Sequence, residues 1–236
     1  MVLNRVQSRG YSFLQSSSPS FGGLGGPLLR NTFRVTAERF RGKLLNLVDG
    51  LASGDLSLSG FNGALPGLLR DGFGISFALG ALSIDPFHTL TLRDIKVINE
   101  EIDQQRRFLR AFGKDLAGGF YVLAPEQRAG LYLQSLRGMF ELGRIEALPA
   151  GPYEWVLRDT EHCIPCIEAS LGGPYQRERF SGLGLPSLPG IPGSGDVCRG
   201  LTKCGCTVIL SGLPIPNAQL QNEIRDVLAE VLHDTS

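Results

Sequence analysis

The five cysteines of this 236-residue chain all lie between positions 163 and 206, and this clustering limits how the C-terminal part can fold. Cys163 and Cys166 form a C-x2-C pair, and Cys198, Cys204 and Cys206 form a C-x5-C-x-C group. The segment between the two groups is rich in glycine and proline, so it cannot bury enough apolar surface to hold a shape by itself. We therefore predict that the two cysteine groups close this segment at its neck.

Zinc is the ion that this pattern favours, because structural zinc sites take four tetrahedral ligands and draw two of them from a tight C-x2-C turn. The candidate ligands are Cys163, Cys166, Cys198 and Cys204, with Cys206 as a close substitute and His162 as a further candidate. Four thiolates leave no open position for a water, so the zinc would be structural. Its contribution would be to close the spacer, where chain entropy opposes order.

Two other uses of the cysteines compete with zinc binding. Disulfides between the two groups would form if the mature protein sat in an oxidising compartment. Thiol redox chemistry is the second alternative, but a redox C-x2-C begins a helix within a βαβ unit, and the sequence around Pro165 does not predict that context. In a reducing compartment clustered cysteines bind metal more often than they form disulfides, which favours zinc.

The formal charges of the chain cancel, with 23 lysines and arginines against 23 aspartates and glutamates. A dedicated nucleic-acid-binding protein carries a basic excess, so nucleic acid is a possible partner that the charge does not indicate. Zero net charge also removes the repulsion that keeps free proteins apart, which favours a multi-copy assembly. No stretch approaches the roughly 20 apolar residues of a membrane span, and the N-terminus lacks the apolar core of a secretion signal, so we expect an intracellular origin and no membrane partner.

Hydrophobic periodicity predicts a mainly α N-terminal domain. Residues 1–27 read as a flexible Gly/Ser/Pro-rich tail, and residues 28–148 as a helical domain. The predicted helices run from Pro27 to just before Gly54, over Phe61–Leu82 as a buried helix broken by glycines, over Leu92–Ala117 with Thr91 as N-cap, and from Pro125 to about Leu142.

The residue pattern of the chain changes after Pro149, where the helical spacing of apolar residues ends. Aromatic and β-branched residues predict strands over Tyr153–Leu157 and Cys206–Leu210, and pairing these strands would bring the two cysteine groups together. Residues 149–213 are therefore expected to form a small α+β module clipped by cysteines. Residues 214–236 end the chain with an amphipathic helix capped by Asn217, with Leu220, Ile224, Val227, Leu228 and Val231 on its apolar face.

The other polar residues indicate no catalytic site, and we expect that the protein is not an enzyme. None of the three histidines has a partner at metal or triad spacing, and His88 reads as a solvated loop residue. The glycine-rich residues 182–186 lack the lysine and the following helix of a phosphate loop. The charge run of Glu100, Glu101 and Asp103 with Arg106, Arg107 and Arg110 predicts i,i+3 and i,i+4 pairs on an exposed helix face.

A fixed order of motifs runs through the C-terminal half. It comprises Tyr153-Glu154-Trp155-Val156-Leu157, Glu161-His162-Cys163-Ile164-Pro165-Cys166, Gly173-Pro174-Tyr175, a Pro/Gly spacer over Leu185–Gly195, and Cys198…Cys204-Gly205-Cys206-Thr207. This order resembles the head-morphogenesis, or minor capsid (minor head), protein family of tailed bacteriophages. Members of that family show a strand, a C-x2-C, a Gly…Tyr step, a spacer and a closing Cys-x-Cys.

The upstream helices are similar to the same family. Gln105–Phe112 matches a Gln-x-x-Phe/Tyr-Leu-x-x-Phe helix and Arg128–Tyr132 an Arg-x-x-x-Tyr helix, so the match touches most of residues 35–212. The closing cysteine cluster departs from the family pattern in two ways. In family members this cluster is commonly tighter than C-x5-C, and its middle residue is commonly Arg where this chain has Gly205. The resemblance therefore leaves open which thiols would bind the metal.

The resemblance implies a structural virion protein near the portal or inside the head, assembled in the host cytoplasm. It implies a role in capsid assembly or head morphogenesis, with portal, major capsid or connector proteins as partners. The competing interpretation is a zinc-knuckle adaptor that contacts nucleic acid.

Overall fold

A computed structural model describes residues 25–120, 124–157, 164–176 and 207–212, together with residues 223, 224, 226, 227, 230 and 231. The elements are α1 (Gly25–Ser53), α2 (Leu58–Ile84), α3 (Leu92–Ala117), α4 (Pro125–Ala147), β1 (Tyr153–Val156), α5 (Ile164–Leu171) and β2 (Thr207–Leu210). The predicted mainly helical chain with a small two-stranded sheet is confirmed. Residues 1–24 of the predicted tail and most of the spacer after Gln176 lie outside the described residues.

The four long helices share one apolar core. Each helix contributes a fully buried phenylalanine, namely Phe33, Phe61, Phe112 and Phe140. The rings of Phe33 and Phe140 meet edge to face with centroids 5.8 Å apart, an arrangement that aromatic pairs prefer. Each of the four long helices therefore buries an apolar face in the bundle.

Helix α2 is the central element, because it packs against α1, α3 and α4. It is continuous from Leu58 to Ile84 and carries Pro66 inside it, so the expectation that glycines break it is wrong. Of the described helices, α2 alone is long and apolar enough to cross a membrane, by length and composition, so the expectation that no stretch approaches a membrane span is wrong. However, 72% of that apolar window is buried inside the protein, where the neighbouring helices cover it.

Helices α2 and α4 cross at two glycines, Gly80 of α2 and Gly143 of α4. A Cβ on Gly80 would lie 1.8 Å from the carbonyl oxygen of Phe140, and a Cβ on Gly143 would lie 2.0 Å from the carbonyl oxygen of Phe77. The two backbones thus touch directly, and each helix supplies one glycine to the contact. No side chain fits at either position, so both glycines serve close packing rather than flexibility.

The predicted start of α3 is confirmed. Thr91 Oγ1 accepts a hydrogen bond from the backbone N–H of Asp94, and Asp94 Oδ2 accepts one from the backbone N–H of Thr91 at 2.8 Å. This reciprocal pair is a capping box, which satisfies two N–H groups that the helix leaves open. His88 Nε2 lies 3.1 Å from the same Asp94 oxygen, and its side chain is only 14% exposed. The expectation of a solvated His88 is therefore wrong, because the histidine packs on the capped end of α3.

The C-terminal residues return to the bundle. Ile224, Val227 and Val231 are helical and buried in the main core, at the spacing predicted for one apolar face. Arg34 of α1 meets Glu230 at 2.5 Å, and this exposed ion pair lies beside the same contact. The rest of the predicted C-terminal helix, with Asn217 and Leu220, lies outside the described residues.

Candidate functional site

We call residues 149–213 the cysteine module, and its described part is built on the two-stranded sheet. Strands β1 and β2 are antiparallel, with Tyr153 opposite Leu210 and Val156 opposite Thr207. Because Thr207 directly follows Cys206, the chain enters β2 at the end of the sheet where it leaves β1 towards Cys163. The strand pairing predicted from the sequence is confirmed, and its register connects both cysteine groups to one end of the sheet.

The Gly-Pro-Tyr step joins the same module. Tyr175 exchanges two backbone hydrogen bonds with Tyr153, each 2.7 Å from nitrogen to oxygen. The Tyr175 hydroxyl donates to the carbonyl oxygen of Ala169 in α5 at 2.7 Å. Tyr175 therefore ties the end of α5 to the outer side of β1, and the chain after the C-x2-C folds back on the sheet.

A second hydrophobic cluster fills the space between the sheet and α5. Its buried members are Ile145, Leu148, Tyr153, Trp155, Cys166, Ala169 and Val208. Cys166 is 1% exposed, so its thiol lies in the interior of the module and not at its surface. Position 166 is thus a packed position that a metal ligand or a buried thiol can occupy.

Cys166, the second cysteine of the C-x2-C pair, lies in the first turn of a helix, which differs from the sequence-based expectation. Helix α5 starts at Ile164, directly after Cys163, and Cys166 lies in its first turn with Pro165 between them. Proline is well tolerated in a first helical turn, where its missing N–H has no helical partner to lose. The second requirement of a redox fold, a βαβ unit, is not met by this sheet, because β1 and β2 are adjacent and antiparallel.

Of the five predicted cysteine ligands, the structure describes Cys166. Cys163, Cys198, Cys204, Cys206 and His162 lie outside the described residues. Among the residues that are described, no three His, Cys, Asp or Glu side chains come together as a metal site. Zinc ligation by this set therefore stays a prediction.

Sequence reasoning missed a group of buried charges on α4. Arg144 is fully buried, and its guanidinium lies 2.6 Å from the carboxylate of Glu141, which is 2% exposed. Glu146, also buried, lies 3.1 Å from Arg93 of α3. The sequence signal is an acid and a base three residues apart among apolar residues and glycine in the second half of α4, Glu141-Leu142-Gly143-Arg144.

These charges lie at the junction between the bundle and the cysteine module. Leu142 belongs to the main core and Ile145 to the second cluster, so Arg144 lies at the boundary between the two apolar clusters. Buried ion pairs have strict geometric demands, because an unpaired buried charge is costly. Because both residues lie on α4, the pair neutralises the two buried charges within the helix itself and lets this face of α4 be buried.

Comparison with known protein families, with curated proteins and with solved structures finds no match for this chain.

Proposed function

We propose that the protein is a structural virion component of a tailed phage, a minor head or connector-associated protein that acts in capsid assembly near the portal. Its partners would be portal, major capsid or connector proteins, and its place would be the virion, after assembly in the host cytoplasm. The role is one of binding and shape, without an enzymatic reaction.

One observation carries this proposal: the motifs that resemble the minor capsid family are the parts from which the module is built. Trp155 and Cys166 are buried together, and Tyr175 pairs with Tyr153. Motifs that follow one another in a sequence could in principle be scattered over a surface. Here the strand, Cys166 and the Gly…Tyr step pack in one cluster, which supports their use as one structural unit.

We propose further that the module binds one structural zinc through Cys163, Cys166, Cys198 and Cys204, with Cys206 as a substitute. The donor set is soft and anionic, which suits zinc. The buried Cys166 and the β1–β2 register support the assignment, because both cysteine groups connect to the same end of the sheet. When bound, the metal would supply a cross-link between the two ends of the spacer.

Quantitative mass spectrometry of purified virions from the encoding phage tests the virion role. The copies of this chain are counted against the portal and major capsid proteins. We expect a fixed copy number, related to the portal ring if the protein is connector-associated. Absence from both mature virions and assembling heads would overturn the proposal and favour the adaptor interpretation.

Thiol redox activity is the second candidate, and the start of α5 is the observation that favours it. A helix N-terminus lowers the pKa of a thiol placed there, and reactive cysteines depend on such a shift. Elemental analysis of the purified chain and thiol titration with a disulfide reagent separate the two candidates. One zinc per chain with slowly reacting thiols supports the structural site, whereas metal-free protein with a rapidly reacting cysteine supports redox chemistry.

A further inference from the structure

A basic cleft opens between the start of α2 and the C-terminal half of α3. It has a volume of about 430 Å³ and is open to solvent. Its lining residues are Asn62, Arg107, Arg110, Ala111 and Lys114. Three of the five carry a positive charge, and no lining residue carries a negative charge.

The three cations form one line along α3. Arg107, Arg110 and Lys114 are spaced i, i+3 and i+7, so they share a helix face and span roughly 10 Å along the axis. All three residues are exposed, and none has an ion pair with any residue that the structure describes. Arg107 and Arg110 thus differ from the pairing that the charge run predicts.

Asp103 is the acidic residue of the charge run that lies one helical turn from Arg107, and it is engaged elsewhere on α3. Asp103 lies 3.5 Å from Arg106, and Glu100 lies 3.8 Å from Lys96. The neutral total charge of the chain therefore hides a local excess of three positive charges. A basic residue in the last turn of a helix complements the helix dipole, which accounts for Lys114, but this explanation does not extend to Arg107 and Arg110.

The N-terminus of α2 adds to the positive potential of the cleft. A Cβ on Gly113 would meet Phe61 at 2.8 Å and Leu58 at 3.3 Å, so the first turn of α2 packs directly against this part of α3. That turn contains no acidic residue. Its partial positive charge therefore falls beside the three cations without a carboxylate to offset it.

Asn62 shows that the polar groups of the cleft are not all used by the fold. Its buried Oδ1 accepts no hydrogen bond from the described residues. Buried side-chain oxygens are usually bonded, and an unused one indicates a position that water or a ligand fills. The cleft thus combines three available cations with a polar floor.

We propose that this cleft binds the phosphate groups of a nucleic-acid backbone through Arg107, Arg110 and Lys114. Phosphate contacts need cations and hydrogen-bond donors, and arginine matches phosphate oxygens with two parallel donors. An acidic protein partner would favour an aromatic or large aliphatic anchor at the centre of its site, and the cleft lining contains only Ala111 as an apolar residue. The chemistry therefore favours nucleic acid, although the overall charge does not indicate it.

Fluorescence anisotropy with the full chain tests this proposal, using a labelled duplex and a single strand of equal length over a series of salt concentrations. The variant is the triple substitution Arg107→Gln, Arg110→Gln and Lys114→Gln. For a duplex, each phosphate contact contributes about 0.9 to the slope of log affinity against log salt. We expect the triple variant to lower that slope by about 2.7, while its circular dichroism spectrum stays unchanged.

A matched control removes three exposed cations elsewhere: Arg39→Gln, Lys43→Gln and Arg70→Gln. Lys43 is already paired with Asp71 at 3.4 Å, and this set lies on α1 and α2 away from the cleft lining. The control should keep the wild-type slope. The duplex and single-strand arms identify which form of backbone binds better, and binding of either form supports the proposal.

Three results would overturn it: no binding of either nucleic acid at low salt, an equal loss of slope in both triple variants, or binding of polyglutamate in place of nucleic acid. The last result would assign the cleft to an acidic protein partner. None of these outcomes depends on the virion role, which the copy-number measurement tests separately.

Discussion

Replacing Gly80 by alanine tests the close crossing of α2 and α4. The added Cβ would lie 1.8 Å from the carbonyl oxygen of Phe140, whereas ordinary contact begins near 3.4 Å. The two backbones would have to separate by roughly 1.6 Å, the difference between these distances, and interiors packed to crystal-like density resist such a shift. A backbone carbonyl cannot rotate away as a side chain would, so the cost should fall at the upper end for overpacking, about 3 kcal/mol.

Gly67 of the same helix provides the matched control. Nothing lies within 4 Å of a Cβ built there, and the residue is exposed. Alanine restricts the unfolded chain more than glycine does, so Gly67→Ala should stabilise the protein by about 0.5–1 kcal/mol. The same chemical change is therefore expected to act in opposite directions at two positions of one helix.

Urea unfolding followed by far-ultraviolet circular dichroism measures both variants. We expect the midpoint of Gly80→Ala to fall and that of Gly67→Ala to rise, with unchanged slopes. Gly143→Ala should behave like Gly80→Ala, because its Cβ would lie 2.0 Å from the carbonyl oxygen of Phe77. The double variant should cost less than the sum of the two, since one separation makes room for both methyl groups. Equal midpoints for Gly80→Ala and Gly67→Ala would refute the backbone contact.

Three further predictions address the ion pair, the cysteine clip and the helix cap. Glu141→Gln leaves the fully buried Arg144 without its carboxylate and should cost about 3 kcal/mol, measured by urea unfolding; a change within about 0.5 kcal/mol would contradict a fixed pair. Cys163→Ser should increase protease cleavage within residues 167–203 while the helical part stays folded, and an unchanged digestion pattern in mass spectrometry would argue against the clip. Thr91→Ala should cost about 1 kcal/mol through loss of the capping box, and a melting temperature equal to the wild type would count against that contribution.

The elements that sequence reasoning located are those whose signal is local. The buried apolar residues of α3 recur at helical spacing, and its capping box needs only Thr91 and Asp94, three residues apart. Ile224, Val227 and Val231 also recur at helical spacing. The pairing of β1 with β2 also followed from composition, because aromatic and β-branched residues mark strands strongly.

The features that sequence reasoning missed depend on contacts between elements. Local propensity predicts that glycines break α2, yet Gly80 is required by the backbone of α4, and Gly143 of α4 is required by the backbone of α2. Asp103 lies three residues before Arg106 and four before Arg107, and spacing alone cannot tell which of the two arginines it pairs with. The loop sequence around His88 predicts a solvated side chain, because nothing in that sequence shows that the histidine meets Asp94 at the start of α3.

The small size of the second hydrophobic cluster is the physical reason to expect a cross-link in the cysteine module. Seven buried side chains hold the sheet and α5 to the end of α4. Modules of this size rarely bury enough apolar surface to order long connections as well, and natural ones add metals or disulfides.

The described packing already accounts for the strands, for α5 and for Tyr175, but the spacer is interrupted by glycines and prolines, which favour turns over a regular element that could extend that cluster. A restraint on the spacer must therefore act at its ends or come from a partner. A metal at Cys163, Cys166, Cys198 and Cys204 would supply the first, and a partner protein would supply the second. Chelation of the isolated chain distinguishes them, since loss of spacer protection on metal removal places the restraint within the chain itself.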